Sequence, residues 1–171
     1  MVGSAGGQPS YALDSSSAHI AHELATPVGA LGWAGAYLEL LSYGCFLAFA
    51  AWATARLGGG VLAQLARTAA AAYAADIVAS LGLMYGLGDR FGHGLTVPVA
   101  RAIDAVNEAT YVGSWFLTAF FLLAIGALAV GASRRVLGWS SIGIGVATLA
   151  AGRARARRRA RRVTPGTAAR R

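Results

Sequence analysis

Long apolar blocks alternate with short polar punctuation along this chain. The run from Ala109 to Val130, ATYVGSWFLTAFFLLAIGALAV, holds no charged residue, and its polar groups are hydroxyls that can bond back to their own helix. At about 1.5 Å per residue it is ~33 Å long as a helix, enough to cross a hydrocarbon core of ~30 Å. Glu108 stands before it, and Arg134 and Arg135 lie just past its end. Three further blocks approach that length, at residues 28–55, 62–87 and 136–151. The last is the shortest, ~24 Å at helical rise. The pattern predicts an all-α fold: a four-helix transmembrane bundle, mostly up-down, with a short N-terminal interfacial helix and a basic C-terminal tail.

The punctuation between the blocks sets their ends. Residues 1–17 are rich in Gly, Ser and Ala and bury too little apolar surface to order themselves. Ser15, Ser16 and Ser17 then offer N-caps to a short helix, AHIAHELA, which Thr26-Pro27 breaks. Trp33 and Trp52 are ~28 Å apart along a helix axis, a separation that suits one aromatic belt at each interface. Gly58-Gly59-Gly60 makes a turn that needs permissive backbone. After the loop at 88–96, Thr96 caps a new helix with Pro98 in its first turn. Val99, Ile103 and Val106 recur at helical spacing opposite Arg101, Asp104 and Asn107, so this piece is amphipathic. It either lies at the interface or runs straight into the 109–130 span. A tight basic turn, Gly131 to Arg135, leads to the last span. One helical membrane domain is thus expected over 18–152, between an unstructured 1–17 and an Arg-rich tail at 153–171.

Composition supports the membrane reading. Of 171 residues, 56% are hydrophobic and only 13% charged, about half the charged share of a soluble domain. The net charge is +8, carried entirely by arginine, and nine arginines lie between Arg153 and Arg171. Absence of Lys beside so much Ala and Gly suggests a GC-rich genome. Cys45 is the single cysteine, so neither an intrachain disulfide nor a cysteine metal cluster can form. Lying in an apolar span, it is expected to be a buried, unreactive thiol. No basic region followed by a short apolar one opens the chain, so the first span is expected to act as its own insertion signal.

Arg56 and Arg67 flank the first interspan turn, and Arg134 and Arg135 fill the last. The positive-inside rule places both in the cytoplasm and the N-terminus outside. Four full crossings would then leave the basic tail outside, against the same rule. Three resolutions stand open: the tail inverts the protein, the span at 136–151 dips without crossing, or the tail arose from a one-base frame shift in GC-rich coding sequence.

ELLSYGCFLAF, which contains Glu39, and NEATYVGSWFLTAFFLLAIGALAVGASRRVLGW, which contains Ser114-Trp115 and Arg134-Arg135-Val136-Leu137-Gly138-Trp139, resemble small multi-pass membrane proteins of high-GC bacteria grouped as a domain of unknown function. The similarity covers residues 30–150. It implies an integral membrane protein, supplies no catalytic residues, and implies an extra leading helix that this chain does not show.

Several constellations bear on function. Glu39 and Asp76 are the two acids inside spans. An acid at mid-bilayer costs roughly 3 kcal/mol on insertion scales, so each should face the bundle. At matched depth the two would share one proton. Gly82 and Gly86 form a GxxxG suited to helix packing. His19, His22 and Glu23 share a helix face, and His93 lies in the loop expected on the same side, so His19, His22 and His93 form a conceivable metal site. The HExxH order of zinc proteases is absent, as are a phosphate loop and a serine-hydrolase elbow. No catalytic residue and no cofactor are therefore expected. The expected partner is the lipid bilayer, with anionic lipid head groups drawn to the Arg tail. Protein partners are not specified, and without aromatic interleaving no specific nucleic-acid binding is expected. The reading is a multi-pass protein of a bacterial cytoplasmic membrane. Its first functional hypothesis is a non-enzymatic structural or accessory role. The second is a small proton-coupled carrier using Glu39 and Asp76, and the third a metal-dependent membrane enzyme.

Overall fold

Five helices and no strand make up the described residues, 15–25, 29–90 and 95–163, of the computed structural model. They are α1 (Ser17–Ala25), α2 (Ala30–Leu57), α3 (Val61–Arg90), α4 (Val97–Gly131) and α5 (Arg135–Val163). Among them α2, α3 as far as Gly86, and α4 are long and apolar enough to cross a membrane. The fourth expected span is not among them. Its uncharged stretch, confined between Arg135 and Arg153, is shorter than the ~20 residues typical of a crossing. Helix α5 also continues to Val163, through the point where the tail was expected to begin. Ala and Arg both favour helix, so the change in polarity does not end it.

Local chemistry explains the ends. Ser16 caps α1: its Oγ accepts from the His19 amide at 3.2 Å and its carbonyl from Ile20 at 3.0 Å. The α2–α3 turn uses Gly58 at φ 131° and Gly60 at φ 88°, a region closed to most side chains. Thr96 starts α4, its carbonyl accepting from the Ala100 amide at 2.9 Å. The amphipathic piece at 97–108 runs directly into the apolar span as one 35-residue helix. Helix α4 closes in a Schellman turn: the Ser133 amide donates to the Val130 carbonyl at 3.1 Å and Arg134 to Ala129 at 2.8 Å. Ser133 carries the left-handed φ of 61° that the motif requires. Arg134 then caps α5 at once, its carbonyl accepting from Gly138 at 2.9 Å.

The chain divides into two compact units. The first contains the residues up to Ala48 together with Ala74–Tyr111. Here α1 docks through Ile20 and Leu24 onto Ala100, with Met84, Leu95, Val97 and Ile103 around them. Arg101 holds the start of α1, its Nη2 donating to the Ser15 carbonyl at 2.6 Å. Helices α2 and α3 meet where Tyr85 donates to the Gly32 carbonyl at 3.1 Å and stacks 5.2 Å from Trp33. The short connection therefore makes them antiparallel neighbours.

Exposure on α4 in this unit is the reverse of a soluble amphipathic helix. Val99 and Val106 are 46% and 58% exposed, whereas Asp104 is only 8% exposed. Cys45, expected to be buried, is exposed on α2. An apolar run in a lipid-facing helix gives no reason for its side chains to turn inward, because hydrocarbon solvates them as well as a core does.

The second unit contains Phe49–Tyr73 and the chain from Val112 onward. Thr54 is fully buried and donates to the Ala50 carbonyl at 2.8 Å, and Arg67 Nε donates to its Oγ1 at 2.7 Å, tying α3 to α2. Helices α4 and α5 approach closely. A Cβ on Gly126 would lie 2.7 Å from Ile142 Cγ1, and one on Gly145 would lie 3.2 Å from the Ala119 carbonyl.

Candidate functional site

Polar side chains of the first unit gather on the inward faces of its three long helices. On α2 the covered positions Gly32, Ala36, Glu39, Tyr43 and Phe46 alternate by four and three residues, the stripe a packed helix presents to its neighbours. Glu39 is half-buried on that stripe, and Tyr43 one turn later donates its hydroxyl to Glu39 Oε1 at 3.3 Å. Ser42 is not a carboxyl partner; its hydroxyl donates to the Glu39 carbonyl at 2.7 Å.

On α3, Asp76 is half-buried beside the buried Ile77. Its Oδ2 is buried and accepts no hydrogen bond from any described residue. Ser80, one turn along the same face, approaches Thr110 of α4 at 3.4 Å between hydroxyl oxygens. Thr110 also donates to the Asn107 carbonyl at 2.7 Å. Asn107 Oδ1 is a second buried side-chain oxygen with no donor among the described residues. Asp104, Asn107 and Thr110 follow at steps of three along α4, so they form a short polar column.

Depth can be counted from the Tyr85–Gly32 bond. Glu39 lies seven residues beyond Gly32 and Asp76 nine residues before Tyr85, so both acids lie about two to two and a half turns in from that bond. Both acids are half-buried, each on one of two antiparallel helices. Helical spacing places Asp104 and Asn107 on the polar side of an amphipathic helix without marking them as site residues.

Other sequence-derived candidates fall elsewhere. His19 and His22 are exposed on α1, and His93 lies outside the described residues. No group of three His, Cys, Asp or Glu able to hold a metal occurs among the described residues. A Cβ on Gly82 or Gly86 would meet nothing within 4 Å. Close backbone approach within this chain lies instead at Gly126, Gly138 and Gly145.

Two buried oxygens without donors can be satisfied by a proton on the carboxyl, by water or by a small polar solute. Comparison with protein-family models, with curated proteins and with solved structures found no match to this chain.

Proposed function

We propose that this chain is a small multi-pass carrier of a bacterial cytoplasmic membrane, coupled to protons through Asp76. The observation that carries this reading is the buried Asp76 Oδ2 without a donor, in a helix apolar enough to cross a membrane. Ionisable groups inside spanning helices are rare and are found on substrate and proton paths. Asp76 loads and releases the proton. Glu39, held by Tyr43, is the second acid of the path. Ser80, Thr110 and Asn107 line the route with hydroxyl and amide groups.

The test is proton flux into liposomes holding the purified protein and a trapped pH-sensitive dye. The intact chain is expected to dissipate an imposed pH gradient faster than protein-free liposomes, and Asp76→Asn is expected to abolish the excess. An intact chain that adds no flux under any gradient overturns the reading.

A different observation favours an accessory role. Only 17% of the α2 span is buried, against 44% for α4. Leu31, Tyr37, Leu38 and Leu41 stand uncovered on it. In this reading α2 pairs with a helix of another membrane protein. Photo-crosslinkers at Tyr37 and Leu41 would then give one discrete protein adduct, whereas a lipid-facing helix would give lipid adducts only.

A further inference from the structure

The second unit contains no Asp or Glu, since neither occurs in residues 49–73 or 112–171. Its arginines have no carboxylate side chain of their own unit to pair with. Arg67 is engaged by Thr54, but the guanidinium groups of Arg56 and Arg134 make no ion pair or hydrogen bond with a described residue. These two line one cleft of about 910 Å³, within the size range of ligand sites. Trp52, Phe121, Ile125 and Leu137 form its apolar wall. The cleft therefore joins two cations, unpaired among the described residues, to an apolar groove.

Local structure holds the cations there. Arg56 is in the last turn of α2, just before the glycine turn. Arg134 is pinned between the Schellman turn that ends α4 and the first turn of α5. It has no loop in which to swing away. Both residues end apolar helices, where the head groups of a bilayer lie if those helices span it. Trp52, 58% exposed, is the side chain type that sits at that boundary.

We infer that this cleft is a binding site for one anionic phospholipid, with the phosphate between Arg56 and Arg134 and an acyl chain along Trp52, Phe121, Ile125 and Leu137. Basic pockets between membrane helices take anionic head groups in this way. The site is separate from the basic tail and does not depend on the carrier reading, since it uses none of the first unit's acids.

Trp52 makes the site observable. In a full-length chain carrying Trp33→Phe, Trp115→Phe and Trp139→Phe, Trp52 is the sole tryptophan. The nine tail arginines are replaced by Gln in a parallel chain, which removes their contribution. Each chain is reconstituted in phosphatidylcholine with a small fraction of brominated phosphatidylglycerol or, separately, brominated phosphatidylcholine. The anionic lipid is expected to quench Trp52 at about tenfold lower mole fraction than the zwitterionic one, with or without the tail charges. Replacing Arg56→Gln and Arg134→Gln together removes the preference, while Arg56→Lys with Arg134→Lys keeps most of it. Circular dichroism confirms that each chain remains helical. Equal quenching by the two lipids overturns the inference without recourse to any arginine variant. So does a preference that survives the Gln pair, or one that vanishes with the tail charges alone.

Discussion

Gly126 and Gly138 face each other backbone to backbone: a Cβ on either would stand 2.8 Å from the other's carbonyl oxygen. Neither neighbour is the movable end of a side chain, so the helices themselves would have to part. Gly126→Ala and Gly138→Ala are each expected to destabilise the protein by about 1–3 kcal/mol, the usual cost of overpacking. Gly82→Ala and Gly86→Ala, which meet open space, should be neutral or stabilising by up to ~1 kcal/mol, since Ala favours helix. Unfolding of the detergent-solubilised protein by added SDS measures all four. Equal losses at Gly82 and Gly126 would mean that the α4–α5 contact does not govern stability.

That contrast shows what sequence can carry. GxxxG was visible at Gly82 and Gly86, whereas the close approach uses Gly126 on one helix and Gly138 and Gly145 on the next. Nothing in a single chain says which glycines will face each other, because the pairing depends on how two helices rotate about their axes. The all-helical class, the glycine turn at 58–60 and the Ser16 cap were legible, since each is decided within a few residues. The inward position of Asp104 was not, because helical spacing identifies two faces without saying which one meets the bundle. The α2 and α3 acids were legible as candidates by rarity alone; the Tyr85–Gly32 bond adds a register from which each can be counted. Arg56 and Arg134 read as orientation signals, and only their shared cleft gives them a second role.

The Thr54–Arg67 bond is the measurable link between α2 and α3 in the second unit. Thr54→Val keeps the shape but leaves Arg67 Nε without its acceptor and should cost about 1 kcal/mol. A double-mutant cycle with Arg67→Gln is expected to give a coupling of about 0.5–1.5 kcal/mol, in the range of polar contacts between membrane helices. A coupling indistinguishable from zero would show that the bond contributes no stability.

Ser133 occupies a conformation that glycine adopts more readily. Ser133→Gly should therefore stabilise the α4–α5 hairpin by about 1 kcal/mol, provided the Schellman bonds persist. Gly60→Ala, at φ 88°, should destabilise the other turn by a similar amount, about 1 kcal/mol. Thermal unfolding in detergent reads both, and the opposite signs make the pair a stringent check on the two turn geometries.

Orientation follows from the same turns. Reporters fused after Gly59 and after Gly131 should both register the cytoplasm, since Arg56, Arg67, Arg134 and Arg135 resist translocation. If both report the periplasm, truncation before Arg153 should restore the cytoplasmic signal, which would identify the tail as the element that inverts the chain. A periplasmic signal from the truncated chain would show that the turn arginines do not set the topology.

Gly138, Gly145 and Gly152 recur every seven residues along α5, and the atoms a Cβ on each would approach, on Val130 and Gly126, then Ala119, Leu122 and Leu123, then Trp115, step back along α4 in a matching rhythm. Two straight rods cannot keep such a line in register, because an α-helix overshoots a seven-residue repeat by ~20° each time. A seam kept at this spacing favours a left-handed wind of the two helices, so glycine spacing bears on handedness. One residue inserted between Gly145 and Gly152 would turn everything beyond it by about 100° and carry Gly152 off the seam. A four-residue insertion, close to one full turn, would leave the line nearly intact while only loosening the wind. The permitted lengths of this helix are thus quantised by its partner.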